Sequence, residues 1–182
     1  SGGRLAVPNA EGIITPTRLL LSAAQEIDLS IFASRDWHPR DSIQFVENGG
    51  PWPTHCVAGS HGAEFHESLP IPANASIIDK GTSSSSHGYS AFEGTVNNGR
   101  SLADELSLRG LDSLFIAGLA TDYCVMQTVL DARRCGLNAV LVEDAIAAVE
   151  KTLGDRENAL TKMRTAGARF LRSDHFLVQF KE

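Results

Sequence analysis

Three groups of residues in this chain have types and spacings suited to chemistry. The first is Asp36, His38 and His55. Asp36 and His38 stand two apart in an extended stretch, which puts both side chains on one side of the backbone. His55 follows in Pro51-Trp52-Pro53-Thr54-His55-Cys56. One carboxylate and two imidazoles suit zinc, manganese or iron, with the remaining positions left to water. The second is Leu119-Ala120-Thr121-Asp122-Tyr123-Cys124, directly after an apolar run. A strand turning sharply into a helix would present Cys124 at the sheet edge, where the helix dipole favours a thiolate. The free N–H groups of such a turn can also stabilise an oxyanion. The third is Asp79-Lys80-Gly81-Thr82, where Lys80 would bring a positive charge to the same edge and Gly81 would let the chain turn away.

Positioning these groups requires a folded α/β frame, and the rest of the sequence supplies one. Apolar runs at Leu29–Ala33, Ser76–Ile78, Ser113–Gly118, Ala139–Val142 and Phe176–Phe180 read as buried strands. Helical patterns lie between most of them, over 10–27, around Leu102, Leu106 and Leu108 up to Gly110, over 121–135 up to Gly136, and over 157–166 up to Gly167. The expectation is a single domain over 1–182, an α/β doubly wound parallel sheet with helices on both faces. In such sheets ligands bind beyond the carboxyl ends of the strands, where all three groups fall. Residues 35–75 lack a strong period and hold five of the seven prolines, the mark of a functional loop. The run Ser83-Ser84-Ser85-Ser86 reads as loop.

Composition narrows the classes. The 182 residues are 42% hydrophobic and 21% charged, ordinary values for a globular domain. Sixteen Lys and Arg against 22 Asp and Glu give a net charge of -6, which argues against tracking nucleic-acid phosphates. Apolar runs are far short of the ~20 residues a membrane span needs. Three cysteines form no disulfide framework and suit a reducing, cytoplasmic setting. Cys56, beside His55, and Cys135, at a helix end where the dipole disfavours a thiolate, are read as packing residues; His61, His66 and His175 are read as surface or packing residues.

Five motifs occur in order. Gly2-Gly3-Arg4-Leu5-Ala6-Val7-Pro8, Asp36-Trp37-His38-Pro39, Trp52-Pro53-Thr54-His55-Cys56, Asp79-Lys80-Gly81 and Gly118-Leu119-Ala120-Thr121-Asp122-Tyr123-Cys124-Val125 together resemble the nicotinamidase/pyrazinamidase branch of the isochorismatase-like cysteine hydrolases. The resemblance extends to about Asp144. It implies hydrolysis of nicotinamide, and of pyrazinamide, within NAD salvage, with Cys124 forming an acyl-enzyme and Lys80 as the triad lysine. It further implies an oxyanion hole at Ala120 and Cys124 and a cis peptide at Leu119–Ala120. A divalent metal, zinc before manganese or iron, would sit on Asp36, His38 and His55, and Trp52 and Tyr89 would wall the substrate ring. The expected partner is a small-molecule amide, with a homo-oligomer compatible and neither nucleic acid nor membrane expected.

The sequence departs from that pattern in places. Relatives carry a further histidine shortly after Asp-x-His, where this chain has Ser42 and Gln44; Glu47 is the nearest carboxylate to replace it, or water fills the position. Ala117 stands where a cysteine is usual. A first, central strand bearing the catalytic aspartate has no counterpart, since neither Asp79 nor Asp122 matches it. The expectation is therefore that about ten to fifteen further residues precede Ser1, by the usual length of a strand and turn. The alternatives are another cysteine amidohydrolase of the same fold (an isochorismatase or an N-carbamoyl amide hydrolase) or a catalytically impaired homologue kept as a binding module. The metal set argues against the first of these.

Overall fold

In a computed structural model of the chain, which describes residues 5–180, four of the five apolar runs contribute to parallel sheet, as their continuous hydrophobic character requires. The strands are β1 (Phe32–Asp36), β2 (Ser76–Lys80), β3 (Thr95–Val96), β4 (Ser113–Leu119), β5 (Asn138–Ala147) and β6 (Arg169–Leu171). β1 and β2 are parallel and β3 adds antiparallel to β2, forming one three-stranded sheet in the order β1-β2-β3. β4, β5 and β6 form a second sheet, parallel throughout.

The helices are α1 (Ile14–Glu26), α2 (Leu102–Leu108), α3 (Met126–Arg134) and α4 (Asp155–Thr165). Ser101 caps α2 by accepting from the Asp104 N–H, with Asp104 and Glu105 favourably placed in the first turn. The main core packs Val129 and Ala132 of α3 and Leu160 and Met163 of α4 against Ala139 and Leu141 of β5. Val140 and Val142 point the opposite way by the two-residue period of a strand and are also buried, so β5 is covered on both faces. A second cluster, Ile78, Ala91, Val96, Leu102 and Leu106, seats β2 and β3 against α2.

Two expected strands need correction. The first strand runs Phe32–Asp36 rather than Leu29–Ala33, because α1 ends by a turn that uses the next residues. Asp28 takes a left-handed conformation with φ 56, and the Leu29 N–H closes back on the Ala24 carbonyl at 2.8 Å. The shift carries Asp36 to the last position of β1. The segment Phe176–Phe180 is not a strand. The last strand is Arg169–Leu171, in register with Val140–Val142. After it the Asp144 carboxylate accepts from both the N–H and hydroxyl of Ser173, at 2.8 and 2.6 Å, and turns the chain into 3-10 helix at Ser173–His175 and Leu177–Phe180. The aromatic period there serves packing, with Phe176 and Phe180 centred 4.8 and 5.6 Å from Phe115. β3 went unforeseen, being only two residues long. No described helix is long and apolar enough to cross a membrane.

Candidate active site

A cavity of about 590 Å³ opens where the two sheets meet, and both β1, through Asp36, and β4, through Leu119, reach its wall. Cys124 arrives there because β4 ends in a wide turn. The Ala120 carbonyl accepts from the N–H groups of Tyr123 and Val125, so Thr121–Val125 form a π-type turn before α3 begins. The peptide Leu119–Ala120 is cis, at the position the sequence motif implies.

Lys80, the last residue of β2, is 4% exposed and reaches between two groups. Its Nζ lies 2.5 Å from Asp36 Oδ1 and 3.2 Å from Cys124 Sγ, and it also donates to the Gly88 carbonyl at 3.3 Å. Burial alone would lower the lysine's pKa, but the Cys124 thiolate and the Asp36 carboxylate outweigh it and hold the ammonium charged above its ordinary value. Burial pushes the Cys124 thiol up, opposed by Lys80 and by the Ala120 backbone hydrogen bond to its sulfur. The lysine is thus a fixed positive charge against a desolvated thiol.

Asp36, His38 and His55 offer one ligand atom each, all within 4.8 Å of one another. Carbonyl groups fix the tautomers. His38 Nδ1 lies 2.9 Å from Gly81 O and His55 Nδ1 lies 2.8 Å from Pro53 O, and a carbonyl only accepts, so each Nδ1 carries the proton and each Nε2 presents a lone pair. His38 is fully buried, burial lowers its pKa, and its Nε2 has no hydrogen-bond partner. A buried, neutral imidazole with an orphaned lone pair beside a carboxylate is what a divalent cation would satisfy, so the donor set fits a metal. Gly81 has φ 63, and a Cβ there would collide with the His38 ring, which explains the glycine after Lys80.

Trp52 and Tyr89 both line the cavity, and the Trp52 indole N–H donates to the Tyr89 hydroxyl at 2.9 Å. Tyr123 completes an aromatic wall, edge-on to Trp52 at 4.9 Å and 5.6 Å from Tyr89 between centroids. Sequence reasoning missed Tyr123, although its place beside Cys124 was the available signal. It also missed Asp122, whose carboxylate accepts from the N–H groups of Val149 and Glu150 at 3.0 and 2.8 Å. Cys56 lines the cavity too, in a left-handed conformation with φ 43, and burial raises its pKa to about 11. Cys135 is exposed at the end of α3. Glu47, the carboxylate considered for an extra ligand, sits exposed in a 3-10 turn and outside the cluster. His61, His66 and His175 are exposed.

This frame and site define a class. The Isochorismatase domain family matches residues 1–175, and the chain belongs to that family. Among the similar proteins are nicotinamidases and pyrazinamidases. A nicotinamidase of Acinetobacter baylyi is 35% identical over 194 residues, covering 97% of this chain and 88% of that protein. A nicotinamidase/pyrazinamidase of Mycobacterium tuberculosis is 36% identical over 168 residues, covering 91% and 88%. The crystal structure of the pyrazinamidase of Pyrococcus horikoshii in complex with zinc superposes with a TM-score of 0.86 at 38% identity, covering 94% of this chain and 90% of that one.

Proposed function

We propose that this protein hydrolyses nicotinamide to nicotinate and ammonia, and pyrazinamide likewise, through an acyl-enzyme on Cys124. The observation that carries the reading is Lys80, buried and charged, bridging Asp36 and Cys124 in an aromatic-walled cavity. The similarity to nicotinamidases over nearly the whole chain supports the choice of amide.

Trp52, Tyr89 and Tyr123 enclose a flat ring and leave its carboxamide facing Cys124. Lys80 stabilises the thiolate as the thiol proton departs. The sulfur bonds to the carboxamide carbon, and the N–H groups of Ala120 and Cys124 are assigned to the oxygen that becomes negative. The C–N bond breaks as the nitrogen takes up the proton and leaves as ammonia. Water then cleaves the thioester, giving the carboxylate and restoring the thiol. Asp36, His38 and His55 would hold a divalent metal, zinc, manganese or iron, which would supply Lewis-acid affinity for a ring nitrogen of the substrate. The product suits pyridine-nucleotide salvage, and three free cysteines suit a cytoplasmic setting.

Ammonia release with nicotinamide, pyrazinamide and an N-carbamoyl amide in parallel tests the reading. Turnover of the first two is expected. Turnover of the carbamoyl compound alone, or of none, would overturn it.

A further inference from the structure

We propose that Gln44 supplies a further ligand, through its amide oxygen Oε1, to the divalent metal read at Asp36, His38 and His55, and that this oxygen shifts the site from zinc toward manganese. The inference rests on the metal reading above and concerns a residue outside that trio.

Gln44 is 2% exposed. Its Nε2 donates to the His87 carbonyl. Because a carbonyl only accepts, the amide cannot be turned over, and Oε1 must face the opposite way. That oxygen is buried and has no hydrogen-bond partner, as is His38 Nε2. A buried acceptor left without a donor, in the cavity that Asp36 and His55 also line, is a group that a cation would satisfy.

The two lie together. Gln44 lines the same cavity as Asp36 and His55. Its neighbour Phe45 sets its ring 5.8 Å from that of His38 and 5.5 Å from that of His55. At the far end of the side chain, His87 precedes Gly88, which packs so closely on Gly81 that a Cβ would collide. Gly81 in turn holds His38 through its carbonyl. The Gln44 amide is therefore tied, through His87, to the loop that positions His38.

The chemistry sets the preference. Two imidazole nitrogens and two oxygens make a harder donor set than three imidazoles and one carboxylate, and carbonyl and carboxylate oxygens suit manganese where imidazole suits zinc.

The test strips the protein with chelator and titrates Mn²⁺ and Zn²⁺ separately against a chromophoric competitor, for wild type, Gln44→Leu, Gln44→Glu, Gln44→His and His55→Ala. Gln44→Leu should weaken Mn²⁺ about tenfold or more, Gln44→Glu should retain Mn²⁺, and Gln44→His should move the Zn²⁺/Mn²⁺ preference toward zinc by about tenfold or more. The visible bands of the Co²⁺-loaded protein should change in Gln44→Leu and Gln44→His, a readout that packing alone does not move. Should Gln44→Leu fail to fold, the Glu and His variants decide by the same titrations. Unchanged affinities and an unchanged Co²⁺ spectrum overturn the role of Gln44 while leaving the metal reading intact. A wild-type protein that binds neither ion, or a His55→Ala variant that binds both normally, overturns the metal reading and this inference with it.

Discussion

Lys80 and Cys124, 44 residues apart in sequence, place ammonium and sulfur 3.2 Å from each other. The contact joins the end of β2 to the turn after β4, so it links the two sheets as well as the two side chains. The ammonium opposes the burial that pushes the Cys124 thiol up, and the reaction proposed here depends on it.

The nucleophile is the first point to check. Cys124→Ala should abolish ammonia release from nicotinamide while leaving circular dichroism unchanged. Cys135→Ala, at an exposed site, and Cys56→Ala should keep most of the activity. Activity near wild type in Cys124→Ala would remove the acyl-enzyme from the mechanism.

Lys80→Met keeps the side chain's length and deletes its charge. The Asp36 carboxylate would then face a buried sulfur without its partner. The loss of stability should fall toward the low end of the ~3–5 kcal/mol typical of breaking a buried pair, because Asp36 keeps 24% side-chain exposure. Turnover should drop by about 100-fold or more, on the scale of a lost electrostatic stabiliser. Urea denaturation and steady-state kinetics measure the two effects separately.

The aromatic wall should act on binding. Tyr89→Phe removes the acceptor of the Trp52 indole N–H, worth about 1 kcal/mol, and should raise KM roughly fivefold with little change in kcat. Trp52→Ala should raise KM by about tenfold or more, since it deletes a ring face. A fall in kcat at constant KM in either variant would place these residues in the chemical step instead.

Asp144 gives a pH-dependent test of the fold. Burial raises its pKa, but the two bonds from Ser173 prevail and hold it below its ordinary value. Ser173→Ala should cost about 1–2 kcal/mol at pH 7. A carboxylate depressed in the folded state contributes stability above its unfolded pKa, and that contribution is lost as pH falls through the folded value. The gap between wild type and variant should therefore close in acid. A gap that stays constant from pH 7 to pH 3 in urea denaturation would show that the hydroxyl acts by packing.

Much of this site can be read from sequence because its parts fall at strand ends and carry distinctive types. Asp36, His38, His55, Lys80 and Cys124 each stand in a short motif, and the alternation of strand and helix implies a shared edge. Gln44 and Tyr123 are harder to see. Gln44 matters through a bond to His87, 43 residues away, which no local pattern records. The strand ends failed where apolar runs have two uses. Leu29 belongs to the closing turn of α1, and Phe176 and Phe180 pack on Phe115 from 3-10 helix. Periodicity over five residues does not separate those cases from a strand.

Asp122 ties Val149 and Glu150 to the turn that carries Cys124, and the next residue, Lys151, lies 5.2 Å over the Trp52 ring. The cavity therefore has two kinds of wall for anyone redesigning its substrate. Trp52 and Tyr89 sit on loops anchored to the first sheet, and they meet the turn that carries Cys124 through ring contacts with Tyr123. Val149 and Glu150 are instead hydrogen-bonded to Asp122, two residues before the sulfur. Altered specificity is best sought on the aromatic side.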